Sequence, residues 1–183
     1  MNANNEELPQ LIRSLLRPDV YDHPVTDIQL IETHISWVIL TGEYAYKIKK
    51  PINLGFLDFS TLEKRLFCCN EELRLNSRMA AAIYLEVVPI SGDREQPQLH
   101  GTVDAIEYAV KMVQFPQQAQ LDNMLANGEL GRRHMDAIAK LVAEFHQSTD
   151  IAADDSDYGD TEHVYQPVAE NFTQIRQHLH TSK

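Results

Sequence analysis

The sequence lacks any apolar run near the ~18–20 residues that a membrane-spanning helix needs. Its start, Met1-Asn2-Ala3-Asn4-Asn5-Glu6-Glu7, lacks the basic opening and apolar core of a secretory signal. A cytoplasmic location, with no membrane partner, is the expectation. Cysteine is nearly absent: the two present, Cys68 and Cys69, are adjacent. Helical neighbours point about 100° apart, so they do not form an ordinary structural bridge. With no second pair they do not make a zinc site either, and both are expected to be small core residues. Positive charge is also short, with 16 Lys and Arg against 27 Asp and Glu and a net charge of −11. A nucleic-acid surface needs a basic footprint, so nucleic acid is not an expected partner.

What is present is a core and a local basic spot. Hydrophobic residues make up 43% of 183 positions, enough for one domain, or one small lobe and part of a second. Lys47, Lys49 and Lys50 lie within four residues, with Lys64 and Arg65 soon after. The acids gather late, at Asp154, Asp155, Asp157, Asp160 and Glu162. A small basic spot on an acidic chain suits a discrete anionic ligand.

Residues 6–16 read as a short amphipathic helix ended by Pro18. β-prone alternation predicts three antiparallel strands, about 27–33, 35–41 and 43–49, with Pro51 closing the third. Ser60 is the expected N-cap of a helix to about Met79, with Glu63 completing a capping box. Its inner side is expected to carry Leu62, Leu66, Cys69, Leu73, Leu75 and Met79. Strands follow at 85–90 and 105–113, separated by a polar loop from Ser91 to Thr102. Helices are expected over 117–127, ended by Gly128, then over 132–147 and near 167–179. The helix 132–147 carries Met135, Ile138, Val142 and Phe145 on one stripe. The fold class is therefore α+β, in the order β-β-β-α-β-β and then helices.

Tyr44-Ala45-Tyr46-Lys47 carries the first chemistry. Alternate strand residues share a face, so Ala45 and Lys47 lie together and both tyrosines lie opposite. A small alanine leaves room for a flat base, and the lysine beside it reaches phosphates. Lys49, on the same face, is the rival for that role. Such a lysine needs a carboxylate to fix it. Glu72 is the first candidate on the long helix, with Leu75 and Met79 as neighbours at the edge of the apolar stripe, and Glu71 and Glu63 are alternatives. The turn Glu32-Thr33-His34-Ile35-Ser36 has no glycine, and there Thr33 and Ser36 could donate hydroxyl hydrogen bonds to phosphate. The strand ending Met112-Val113-Gln114 is expected to run into a hinge, where Met112 and Gln114 offer backbone groups to a base edge.

These segments together carry a resemblance. The runs from Glu32 to Val38, Tyr44 to Pro51, Gly55 to Arg65, Glu71 to Asn76 with Tyr84-Leu85, and Tyr108 to Met112 resemble aminoglycoside-phosphotransferase-like bacterial proteins. Full-length members of that family join a kinase-like half to a P-loop ATPase half, and the resemblance covers roughly residues 23–147. It implies a protein-kinase-like N-lobe, a five-stranded antiparallel sheet plus one long helix, followed by the first helices of a C-lobe. The domains implied are 1–114 and 115–183. The resemblance also implies ATP as phosphate donor, Lys47 on the phosphates, Glu72 as its partner, and an unspecified small-molecule acceptor. Magnesium is expected only in a longer version.

The family's catalytic loop, H-G-D-x-H with a following Asn, has no good match. Tyr158-Gly159-Asp160 lacks the leading His and the trailing Asn. No G-x-x-x-x-G-K-S/T is present either. The expectation is the first part of such a protein, without catalytic residues of its own. Apolar surface that a larger lobe would cover is then exposed, so the chain alone is expected to be marginally stable or to self-associate. A non-catalytic remnant or interaction module, without nucleotide binding, is the competing reading. The run 154–160 fails the calcium-loop register, because the twelfth position is Tyr165, and reads as a solvated loop. His178 and His180 read as a solvent-exposed tail, and His146 as a helix-end residue.

Overall fold

A computed structural model describes residues 8–102, 104–153, 156 and 159–181, with 177–181 in backbone only. The start of the expected first helix, residues 154, 155, 157 and 158 of the acidic run, and the His178 and His180 side chains lie outside the described residues. Packing divides the chain into two units, 1–130 and 131–183. Residues 115–130 thus belong with the first unit.

The first unit is built on a mixed α+β plan. Helix α1 spans Gln10–Leu15, followed by a 3₁₀ turn at Pro18–Val20. Strands β1 (Gln29–Glu32), β2 (Ser36–Leu40) and β3 (Tyr44–Lys49) meander, and helix α2 (Leu62–Ala80) crosses over. Strands β4 (Tyr84–Gly92), β5 (Pro97–Leu99) and β6 (Glu107–Val113) complete one antiparallel sheet, ordered β1-β2-β3-β6-β4-β5.

The sheet has six strands where the sequence predicted five. The extra strand, β5, lies inside the expected polar loop. Asp93 Oδ1 accepts from the N–H groups of Glu95 and Gln96 at 2.8 and 2.6 Å, and Gly92 sits at φ +82°. The polar residues thus form a tight turn, and the chain returns so that Ile90, Ser91 and Gly92 pair with Leu99, Gln98 and Pro97.

One sheet face carries the core. Trp37, Ile39, Tyr46, Ile48, Val88, Ile90 and Ala109 are buried there with Ile12 and Leu15 of α1 and with Tyr21. Each fully buried aliphatic of this kind contributes roughly 1.5–3 kcal/mol. The Tyr21 hydroxyl donates to the Leu15 carbonyl at 2.6 Å, which ties α1 to the segment that follows it.

Helix α2 packs against β4 and β6. Its cap is Thr61, not the expected Ser60: the Thr61 hydroxyl accepts from the Lys64 N–H. The helix therefore starts one residue later, so Lys64 rather than Glu63 stands three residues beyond the cap, and Glu63 hydrogen-bonds the Thr61 side chain. Thr61→Ala should cost about 1 kcal/mol of stability, read from a urea melt.

The inner side of α2 also departs from expectation. Leu75 and Met79 are exposed, whereas Arg65 is buried. Its Nε donates to both Glu107 carboxylate oxygens, at 2.9 and 3.0 Å, and its Nη1 to the Phe59 carbonyl at 3.0 Å. A charged residue faces inward because these acceptors satisfy it, which hydropathy alone cannot show. Both cysteines are free, Cys69 buried and Cys68 half-buried. Burial pushes the Cys69 thiol up to about 11, so it is an inert packing residue.

The remaining helix of the first unit is broken in two: a 3₁₀ turn at Gln117–Ala119 and then α3, Leu121–Ala126. Gly128 takes φ +71° just beyond it, as a terminating glycine should. The second unit holds α4 (Arg132–Ser148) and α5 (Thr161–Thr181). On α4, Ile138 and Phe145 are half-buried, while Met135 and Val142 are exposed. Helix α5 begins well before the expected position. Asp160 Oδ1 accepts from the His163 N–H at 2.7 Å and starts the helix ahead of Pro167, which then lies inside it. Asp160 is thus a helix cap. Val164, Tyr165, Val168, Phe172 and Ile175 of α5 are exposed. Among the described residues, no helix is long and apolar enough to cross a membrane.

Candidate functional site

The site lies on the sheet face opposite the core. In an antiparallel pair, directly opposed residues share a face. Val38 opposes Lys47, Leu40 opposes Ala45, and Ala45 opposes Met112 across the next ladder. These side chains therefore form one patch across β2, β3 and β6. A cleft of about 300 Å³ opens over it, at the small end of ligand-sized pockets. Thr33, Ala45, Lys47, Met112 and Gln114, all predicted from the sequence, line it.

Glu72 stands behind the cleft. Its Oε1 accepts from Lys47 Nζ at 2.7 Å and its Oε2 from Lys49 Nζ at 2.6 Å. The choice between carboxylates is thereby resolved. Glu71 is paired with Arg74 on the helix surface, and Glu63 is exposed in the first turn. Both lysines pair with Glu72. Lys47 is 27% exposed and lines the cleft, whereas Lys49 is 5% exposed, with its ammonium 4.9 Å from the Phe59 ring centroid. Burial pushes the Glu72 carboxyl up, but the hydrogen bonds and charges of the two lysines outweigh it and hold the group below the ordinary carboxylate range.

The turn between β1 and β2 does not work as expected. The Thr33 hydroxyl donates to the Ser36 carbonyl at 3.0 Å and accepts from the Ser36 N–H at 2.9 Å. Its hydrogen is spent within the turn. Ser36 is fully buried, lies outside the cleft, and its hydroxyl has no hydrogen-bond partner among the described residues. Thr33 lines the cleft but its hydroxyl hydrogen is engaged in the turn: without glycine, the turn closes through its own side chain. At the other end, the Gln114 side chain accepts from the Gly42 N–H at 2.9 Å, and the Gln114 N–H donates to the Glu43 carbonyl at 2.9 Å. The Val113 N–H donates to the Ile83 carbonyl at 2.8 Å. The backbone donors of Val113 and Gln114 are thus engaged within the protein.

Sequence reasoning missed Val38, Leu40, Tyr84 and Phe115, which supply much of the apolar wall. Val38 and Leu40 were findable, because once β2 and β3 are paired in register they must flank Lys47 and Ala45. Tyr84 and Phe115 carried no such signal. Among the described residues, no group of three or more His, Cys, Asp or Glu side chains is placed to hold a metal ion.

Comparison with known proteins adds relatives but no activity. The chain is 34% identical over 162 residues to uncharacterized proteins of Mycobacterium tuberculosis and Mycobacterium bovis, a match covering 85% of this chain and 30% of each relative. It therefore spans about a third of the length of these curated relatives. No family model matches the chain. No solved structure matches it either.

Proposed function

We propose that the first unit is the ATP-gripping lobe of a kinase-like small-molecule phosphotransferase related to the aminoglycoside phosphotransferases. The observation that carries the reading is the Lys47–Glu72 ion pair at 2.7 Å, at the edge of an apolar cleft walled by Ala45, Val38 and Met112. In such a site a flat base sits on the small alanine and the lysine meets the phosphates. A meander of three strands, a crossover helix carrying the carboxylate, and a strand leading out at Val113 support the same reading. With Val113 and Gln114 N–H groups engaged, Phe115 offers the next backbone donor for the base edge, since Pro116 has none.

ATP is the bound nucleotide in this reading, the compartment is the cytoplasm, and the phosphoryl acceptor is a small molecule. Magnesium belongs, in this reading, with a longer version, and no phosphoryl-transfer step is assigned to this chain. The chain acts as a nucleotide-binding part, and transfer belongs to a longer assembly.

Calorimetric titration of ATP into the chain tests the proposal. Binding is expected, with affinity reduced about 10–100-fold in Lys47→Ala, the loss of one charge-assisted contact. Heat that is absent, or unchanged by Lys47→Ala, favours the second reading, an interaction module without nucleotide affinity. One observation supports that alternative: Glu72 already satisfies both lysines. Exposed Phe172, Val168 and Ile175 on α5 would then serve association, including self-association.

A further inference from the structure

We infer that Lys49 is a positioning residue: it neutralises Glu72 so that Lys47 stays available to a polyphosphate. The inference rests on the nucleotide reading of the cleft. One lysine on one glutamate is a neutral pair, and an anion approaching it gains from the ammonium and loses to the nearby carboxylate. Here one carboxylate takes two ammonium groups, at 2.7 and 2.6 Å, and the cluster carries a net positive charge. Beside apolar walls that charge is weakly screened.

Position divides the labour between the lysines. Lys49 is 5% exposed, packs against the Phe59 ring and does not line the cleft. It cannot turn towards a ligand without breaking both contacts. Lys47 lines the cleft and is more than a quarter exposed. When Lys47 swings from Oε1 towards a phosphate, Lys49 still holds Oε2. Glu72, with its side chain only 12% exposed, is never left as a buried carboxylate without a partner. Strand periodicity makes this possible. Residues 47 and 49 share a face about 6.6 Å apart along β3, and a carboxylate from α2 reaches both.

The test compares adenosine, ADP and ATP binding by calorimetry in the wild-type chain, Lys49→Met, Lys49→Arg and Lys47→Met. Lys49→Met should weaken ATP about tenfold and ADP less, while adenosine stays within about twofold, because only the phosphates feel the lost charge. Lys49→Arg should recover most of the ATP affinity. Equal losses for adenosine and ATP would mean a merely structural lysine and overturn the inference, as would no loss at all. Should Lys49→Met unfold the chain, the comparison moves to a Glu72→Gln background. There no carboxylate competes for Lys47, so adding Lys49→Met removes only the direct pull of one charge and should cost ATP clearly less than about tenfold. A tenfold loss in that background also overturns the inference. ATP binding lost in Lys47→Met but kept in Lys49→Met sinks the Lys49 role alone. Failure of the wild type to bind ATP removes the nucleotide reading and this inference with it.

Discussion

Glu72→Leu should lower the unfolding free energy by about 3–5 kcal/mol, read from urea melts with an unchanged denaturant slope. The large effect follows from what is left behind. Lys47 can turn to water, but Lys49 is 5% exposed and would be an ammonium without a carboxylate. Adding Lys49→Met to Glu72→Leu removes the stranded charge, and the double variant should recover most of the loss. If Glu72→Leu melts like wild type, the ion cluster does not hold α2 to β3. The same cluster sets an acid limit. The Glu72 carboxyl lies below its ordinary value of 4.5 in the folded chain. Its contribution is therefore fully present above that value and is lost as pH falls through the lower, folded value. Glu72→Gln should flatten stability in this acid window.

Ala45→Phe should abolish measurable ATP binding while the protein still folds. Ala45 is 6% exposed, lines the cleft, and is flanked by Leu40 and Met112 in register. A phenyl ring at this position fills the place proposed for the base. Overpacking against its neighbours should cost about 1–3 kcal/mol, which thermal melting would show. The Lys47–Glu72 pair is untouched by the change, so lost binding would locate the base over Ala45. ATP affinity that survives the substitution would place the nucleotide elsewhere.

The site was legible unevenly, and the residues show why. Lys47 and Ala45 could be placed on one face because strand alternation is a local rule. Glu72 was only one of three carboxylates on a helix, because sequence spacing does not say which turn of α2 faces β3. Leu75 and Met79 looked like its buried neighbours but are exposed, while Arg65 is buried on Glu107. Hydropathy cannot anticipate a charge satisfied by a residue 42 positions away. Thr33 and Ser36 looked like phosphate donors because hydroxyls in a turn are free until the turn geometry is known. Here the Thr33 hydroxyl and the Ser36 backbone close the turn on each other.

The sequence by itself determined the strand-rich first half, the long helix, and the alternation that sets Ala45 and Lys47 apart from Tyr44 and Tyr46. These follow from periodicity and from turn residues, which act over a few positions. Only the tertiary structure decided that β5 forms within a polar loop and that β6 inserts between β3 and β4. It also decided that one glutamate holds two lysines and that a cleft opens beside them. Those outcomes depend on pairing and burial between distant segments, where a partner's position rather than the residue's own type sets the energy.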